Sequence, residues 1–241
     1  MELSTLEAGN FWFKARNALI LDAIDDYVPA RGDFLEIGCG TGFVLGAIAR
    51  EYPGMRCQGS EIFVEGLEIA ARRLPQAGFM QMDARHIPFV DHFDAIGAFD
   101  VLEHVTEDEE VLQQVRSALR ADGRILLTVP QHPWLWSVQD EYAHHVRRYQ
   151  PRELEDKLRR NGFRVIFSTS FVALLLPALA ASRLVKGNKA REQDPFREFR
   201  LPGWLNRTLG GIMAVERFLI RMGVRFPIGG TRLIVAEKIP A

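Results

Sequence analysis

Cysteine is nearly absent: Cys39 and Cys57 are the only two in 241 residues. Two thiols are too few for a disulfide framework, and their spacing matches no metal site, so both are expected to be reduced. Excess charge is absent too. Thirty Lys/Arg stand against thirty-one Asp/Glu, for a formal net charge of -1. No global basic field favours nucleic acid, and none is expected as a partner. Long apolar runs are missing. The longest, Phe171 to Ala181, is interrupted by Pro177 and falls short of the roughly 20 residues that a bilayer span needs. The opening stretch, Met1 to Ala8, is polar and of mixed charge, without the basic and apolar regions of a leader. A soluble cytoplasmic protein is expected. No internal repeat or low-complexity stretch interrupts the chain.

What is present is enough apolar material for a core, at 47% of residues, in a length that suits one large domain. Leu6 to Tyr27 has apolar residues at helical spacing, and Pro29 stops it. Strands are then expected at 33–37, 55–60, 78–82, 93–99, 124–129, 163–170 and 232–238. Helices are expected between them at 42–52, 64–74, about 106–119 and from Pro151 to Gly162. Thr106 with Glu109 has the form of a capping box, and Gly123 is expected to close that helix. Strands alternating with helices imply a parallel, doubly wound sheet. On such sheets ligands bind beyond the carboxyl ends of the strands, so functional residues are sought there.

The sharpest local pattern is Glu36-Ile37-Gly38-Cys39-Gly40-Thr41-Gly42, between a strand and a helix. Glycines there permit a tight turn and let a ligand approach the main chain. A dinucleotide fingerprint places its third glycine three residues after the second. Phe43 holds that position here, and the third glycine is Gly42. A carboxylate at Glu36 repels a pyrophosphate and attracts an ammonium group. Glu61, about twenty residues past the loop, suits a pair of ribose hydroxyls. Asp83 follows the third strand.

These residues resemble motif I and its neighbours in class I S-adenosylmethionine-dependent methyltransferases. The resemblance continues in Phe99-Asp100-Val101-Leu102-Glu103-His104-Val105, similar to a block of the type 11/12 group that includes the ubiquinone-pathway O-methyltransferases. It runs from about Phe34 to Phe167. It implies a Rossmann-like, doubly wound seven-stranded sheet whose last strand is antiparallel and lies beside the fifth. It implies S-adenosylmethionine as cofactor, with S-adenosylhomocysteine as product. The cofactor would be held by Glu36, Gly38, Cys39, Gly40 and Gly42, by Glu61 and Ile62, by Asp83 and Ala84, and by Phe99 and Val101. Trp12 and Arg16, in an N-terminal stretch also similar to these relatives, join them in a lid over residues 1–30.

On the acceptor side, His104 ends the fourth-strand block and can titrate near neutral pH, so it is a candidate base. A second cluster (His132, Trp134, Trp136, Asp140, Glu141, His144, His145, Arg147, Arg148, Tyr149) resembles the family's D-E-x-x-G-H-x-R-R-Y block. His145 aligns with the block's histidine and is the second catalytic candidate, while His144 replaces its glycine. Arg147 and Arg148 suit either an anionic acceptor or an ion-pair network pinning the loop. The spacing of the histidines with Asp140 and Glu141 matches no standard metal site, and no metal is expected.

About sixty residues separate the sixth and seventh strands, too many for a plain connection. Residues 171–231 are expected to form a helical cap over the acceptor pocket, with helices at 172–184 and 209–222. Eleven Lys/Arg against four Asp/Glu at 171–232 give this segment a basic excess, with Arg183, Arg197, Arg200, Arg217, Arg221 and Arg225 among apolar residues. That mixture suits a packed cap, or weak contact with an anionic membrane surface. The expected function is methyl transfer to a small-molecule or lipid-like acceptor, at oxygen. The alternatives are a non-catalytic S-adenosylmethionine-binding module and a nicotinamide-dependent oxidoreductase.

Overall fold

In the computed structural model the described residues are 7–186 and 201–240. Seven strands alternate with helices in the order α1 (Phe11–Tyr27), β1 (Gly32–Ile37), α2 (Phe43–Glu51), β2 (Met55–Glu61), α3 (Val64–Arg73), β3 (Gly78–Gln81), β4 (Phe93–Phe99), α4 (Asp108–Ala118), β5 (Leu119–Pro130), α5 (Val138–Tyr142), α6 (Glu153–Arg160), β6 (Phe163–Phe171), α7 (Leu176–Lys186), α8 (Gly203–Arg221) and β7 (Thr231–Lys238). They form one sheet in the order β3-β2-β1-β4-β5-β7-β6. All neighbours are parallel except β7, which runs antiparallel between β5 and β6. This is the expected class I topology.

The central strands are apolar on both faces because helices cover both, as in buried parallel sheets. One face buries Leu19, Ile20 and Ile24 of α1, Leu45 and Ile48 of α2, and Met213 and Ile220 of α8. The other buries Val111, Leu112 and Val115 of α4, and Leu154 and Leu158 of α6. The carboxyl ends of β1, β2, β4 and β5 consequently stand side by side at one edge, where Ile37, Glu61, Phe99 and Pro130 hand over to loops.

Some local expectations change. Helix α4 is capped at Glu107, without a side-chain hydrogen bond, rather than by a box at Thr106. Long-range partners take that box apart: the Thr106 carbonyl accepts from Arg147, and Glu109 accepts from Arg160 and Asn161. Gly123 does not close the helix. It lies within β5, which begins directly after Ala118, and Asp122 takes the positive φ instead.

Helix α8 packs along α1. Asn206 accepts the Phe11 N–H at 2.8 Å and donates to the Gly9 carbonyl. Arg217 makes a two-point contact with Asp22, joined by Arg221 at 3.1 Å. Arg225 lies over the Phe167 ring. These three arginines thus have partners within the fold. Leu6, Arg197, Arg200 and the side chains of Arg183 and Leu184 lie outside the described residues.

Candidate active site

The turn between β1 and α2 is built by glycines in the left-handed region. Gly38, Gly40 and Gly42 have φ of +66°, +50° and +72°, which L side chains adopt at a cost. Gly38 has a second reason: a Cβ there would stand 2.5 Å from Cγ2 of Val101. Gly40 faces open space instead, with nothing within 4 Å of a Cβ position. The loop therefore offers bare main chain to a ligand at Gly40, backed by Val101 at Gly38.

Beneath it sits Glu36, only 2% exposed. Its Oε2 has no hydrogen-bond partner. Burial pushes the carboxyl up to about 8, against the pull of the Arg16 guanidinium and the Leu45 N–H. A buried acid with an empty acceptor position is completed by a cation or a donor.

Glu61, at the end of β2, accepts from the main-chain N–H of Gly40 (3.0 Å), Ile62 (2.7 Å) and Phe63 (3.3 Å). It thereby ties the glycine loop to the next one. Ile62 and Phe63 beside it are exposed apolar residues, Phe63 at 70%. Asp83 is gripped by Arg85 through Nε and Nη2, and that contact lowers its carboxyl to about 2. An ionised carboxylate has about four lone-pair sites, so Asp83 retains acceptor capacity. Ala84 is buried behind it.

Two candidates have side chains turned away into the core, leaving only their main chain toward the loops. The Phe99 ring turns into the core beside Gly97 and Phe34. The Cys39 thiol is buried against Gly59, and burial raises its pKa far above neutrality.

The N-terminal helix packs at this edge. Asn10 caps α1 by accepting the Trp12 N–H. Arg16 lies 4.6 Å from the Trp12 ring centroid and pairs with Asp100. Asp100, at φ +59°, also accepts from the Thr128 hydroxyl. Phe13 is buried against Phe43, as a core residue. Glu7 accepts from Thr41 at 2.8 Å and from Arg73 at 3.2 Å, clasping the glycine loop from the side. Sequence reasoning missed Glu7 and Asp100. Each meets a partner dozens of residues away, which no local pattern signals.

On the acceptor side, His104 and His145 come together. Their ring centroids are 4.7 Å apart, edge to face. Asp140 accepts from His145 Nδ1 at 2.9 Å and from Arg148 at 2.7 and 3.0 Å. Its carboxyl is held at about 2: burial works against the ionised form, but hydrogen bonds from His145 and Arg148 prevail. Asp140 is therefore an acceptor and a proton sits on His145 Nδ1, which in the neutral imidazole leaves the lone pair on Nε2. His104 is exposed, but the protein packed along its inner edge, with His145, lowers its pKa. His144 takes the left-handed φ of +57°, a conformation glycine adopts without cost.

Beside the two histidines lies Glu103, fully buried with both carboxylate oxygens unpartnered. Burial and the nearby Asp100 raise its pKa well above the ordinary range.

The arginines of the second cluster are engaged within the fold. Arg147 donates to Asp108 and the Thr106 carbonyl, and Asp108 also accepts from Tyr149 and Lys157. Arg147 and Arg148 thus pin the loop. His132 is buried at φ +64°, near Trp134. Trp134 and Trp136 are exposed.

Comparison with known proteins adds the following. A family described as "Methyltransferase domain" matches residues 12–167. The demethylmenaquinone methyltransferase of Thermotoga maritima is 31% identical over 117 residues, covering 48% of this chain and 48% of that protein. A ubiquinone biosynthesis O-methyltransferase of Actinobacillus pleuropneumoniae is 30% identical over 122 residues, covering 44% and 50%. The chain spans about half the length of the curated relatives it matches. Among solved structures, Haemonchus contortus phosphoethanolamine N-methyltransferase 2, in complex with S-adenosyl-L-methionine, superposes with a TM-score of 0.61 at 17% identity, over 91% of this chain and 52% of that one. That likeness shows a common fold.

Proposed function

The chain belongs to the class I S-adenosylmethionine-dependent methyltransferase family, and from that premise we propose that it methylates a small-molecule or lipid-like acceptor, at oxygen. The observation that carries the cofactor half is Glu36. Its buried, unpartnered oxygen lies under a glycine loop with open space at Gly40. Those two features fit an ammonium group beside the carboxylate and a ligand body passing over bare main chain. Glu36, Gly38, Gly40, Glu61 and Asp83 would hold the cofactor, with Arg16 and Trp12 closing over it. When bound, S-adenosylmethionine supplies an already activated methyl group. The protein's work is then proximity and orientation.

The oxygen assignment rests on the two histidines. Asp140 accepts from His145 Nδ1, which in the neutral ring leaves the lone pair on Nε2, and His104 stands beside it with a lowered pKa. A hydroxyl acceptor has a proton to lose on attack, and such a base serves it. Relatives are named as both O- and C-methyltransferases, so the position of the methyl group is the decisive readout. We expect phenolic acceptors offered with S-adenosylmethionine to yield methyl ethers, identified by mass and by NMR. A methyl group found on carbon overturns the oxygen assignment. A folded protein that binds the cofactor and turns over no acceptor supports the non-catalytic module.

The lipid-like reading of the acceptor has its own observation. Trp204, Val215, Phe218 and Met222 are all exposed at helical spacing along α8. The acid of α8, Glu216, is buried and accepts from the Leu174 N–H. An apolar stripe without exposed acid suits the boundary of an anionic lipid surface. No helix among the described residues is long and apolar enough to cross a membrane.

A further inference from the structure

We propose that Glu103, His104 and His145 bind one divalent cation of the first transition row. Their ligand atoms all lie within 4.8 Å of one another. His145 Nε2 is 3.9 Å from Glu103 Oε1. That is too long for a hydrogen bond. Ligands about 2.1 Å from a common ion stand about 3–3.5 Å apart. A contraction under about 1 Å therefore brings this pair to ligating distance.

Three independent features point to a ligand here rather than to a self-sufficient polar cluster. Glu103 is 0% exposed, and neither carboxylate oxygen has a partner. Arg16 and Arg148 favour its ionised form only from a distance, without a hydrogen bond, and a cation in contact would complete it. His145 is supported from behind: Asp140 accepts its Nδ1–H, and Arg148 holds Asp140 on both oxygens. A carboxylate that fixes the far nitrogen of a histidine is the usual outer support of a metal-bound imidazole. Finally, His104 is exposed, which gives the ion a way in from solvent.

Two imidazoles and one carboxylate favour zinc, cobalt, nickel, iron or manganese over calcium or magnesium, which prefer all-oxygen sites. Three protein ligands leave at least one position open. The inference rests on the methyltransferase reading only in what that position would take: a hydroxyl oxygen of the acceptor, whose pKa the ion lowers. With an ion in place, His145 acts through it instead of accepting a proton. About forty residues separate His104 from His145, and the spacing betrayed nothing. The fold makes the site.

The test uses untagged protein stripped with a chelator, titrated with Co2+ and followed by its visible ligand-field bands. One equivalent is expected to bind and to be displaced by Zn2+. Asp140→Asn, which touches no ion, is expected to weaken binding about ten- to hundredfold, and Glu103→Gln and His104→Ala more than that. Thermal unfolding checks that each variant is folded. No bound Co2+ in the wild type, or equal binding in folded Glu103→Gln, overturns the proposal. S-Adenosylhomocysteine affinity is measured on the same stripped protein without cobalt. Loss of that binding would count against the methyltransferase reading and leave the cation site standing, and the converse result would do the opposite.

Discussion

Replacing Glu36 by glutamine keeps the side chain's shape and removes its charge, so it isolates the cost of a buried carboxylate. In the fold without cofactor, burial raises this group from 4.5 to about 8. A folded-state pKa above the unfolded one means that the folded protein holds the proton more tightly. The associated stability is fully present below pH 4.5 and is lost as pH rises through about 8. A gap of about 3.5 pH units at 1.36 kcal/mol each sets a ceiling of about 5 kcal/mol, and relaxation around the charge lowers it. The glutamine variant lacks this slope. Its amide hydrogens are poorly satisfied, so it is expected to match or fall slightly below the wild type near pH 5. By pH 9 it should be the more stable of the two, with the difference having moved by about 2–5 kcal/mol. Urea unfolding of both proteins across that range reads the difference directly, and all other titrating groups cancel. Parallel stability curves would mean that Glu36 is ionised and satisfied at neutral pH, and the argument for a waiting ammonium partner would fail.

Three further outcomes follow from the same geometry. Glu61→Ala should weaken S-adenosylhomocysteine binding by about 1.5–3 kcal/mol by calorimetry, the scale of hydrogen bonds to a charged group; unchanged affinity in a folded variant removes Glu61 from the site. His104→Ala should leave cofactor affinity nearly intact and lower turnover roughly a hundredfold or more, and near wild-type turnover would make this histidine structural. The α8 stripe predicts cosedimentation with anionic vesicles at low salt that fades as the Debye length shrinks; none at low salt leaves α8 a packed helix with a bare face.

The parts of the molecule legible in the sequence are those fixed by local rules. Strand β4 has the expected bounds, Phe93–Phe99, because its apolar run is buried between two helical layers. The glycine loop was equally legible, since each of its three glycines meets a positive φ. Strand β5 was not. It begins at Leu119, five residues earlier than its apolar run suggests, because distant groups hold that segment. Arg120 reaches Asp33 and Asp94, and Lys238 donates to the Leu119 carbonyl. The capping box at Thr106 failed for the same reason. At the site, the candidate cofactor residues lie at or beside strand ends, so each could be named by itself. The convergence of Glu103 with His145 could not, because it depends on two loops meeting across the sheet edge. Arg147 and Arg148 had two possible uses by type alone, and only their distances to Asp108 and Asp140 assign them to the loop.

The central claim is that the β1–α2 loop, Glu36 and Glu61 form a site for S-adenosylmethionine. Calorimetric titration of the folded protein with S-adenosylhomocysteine, and in parallel with NADH, tests it most directly. One equivalent of S-adenosylhomocysteine bound, with no heat from NADH, is the predicted result. A folded protein that takes up NADH, or neither ligand, would contradict it.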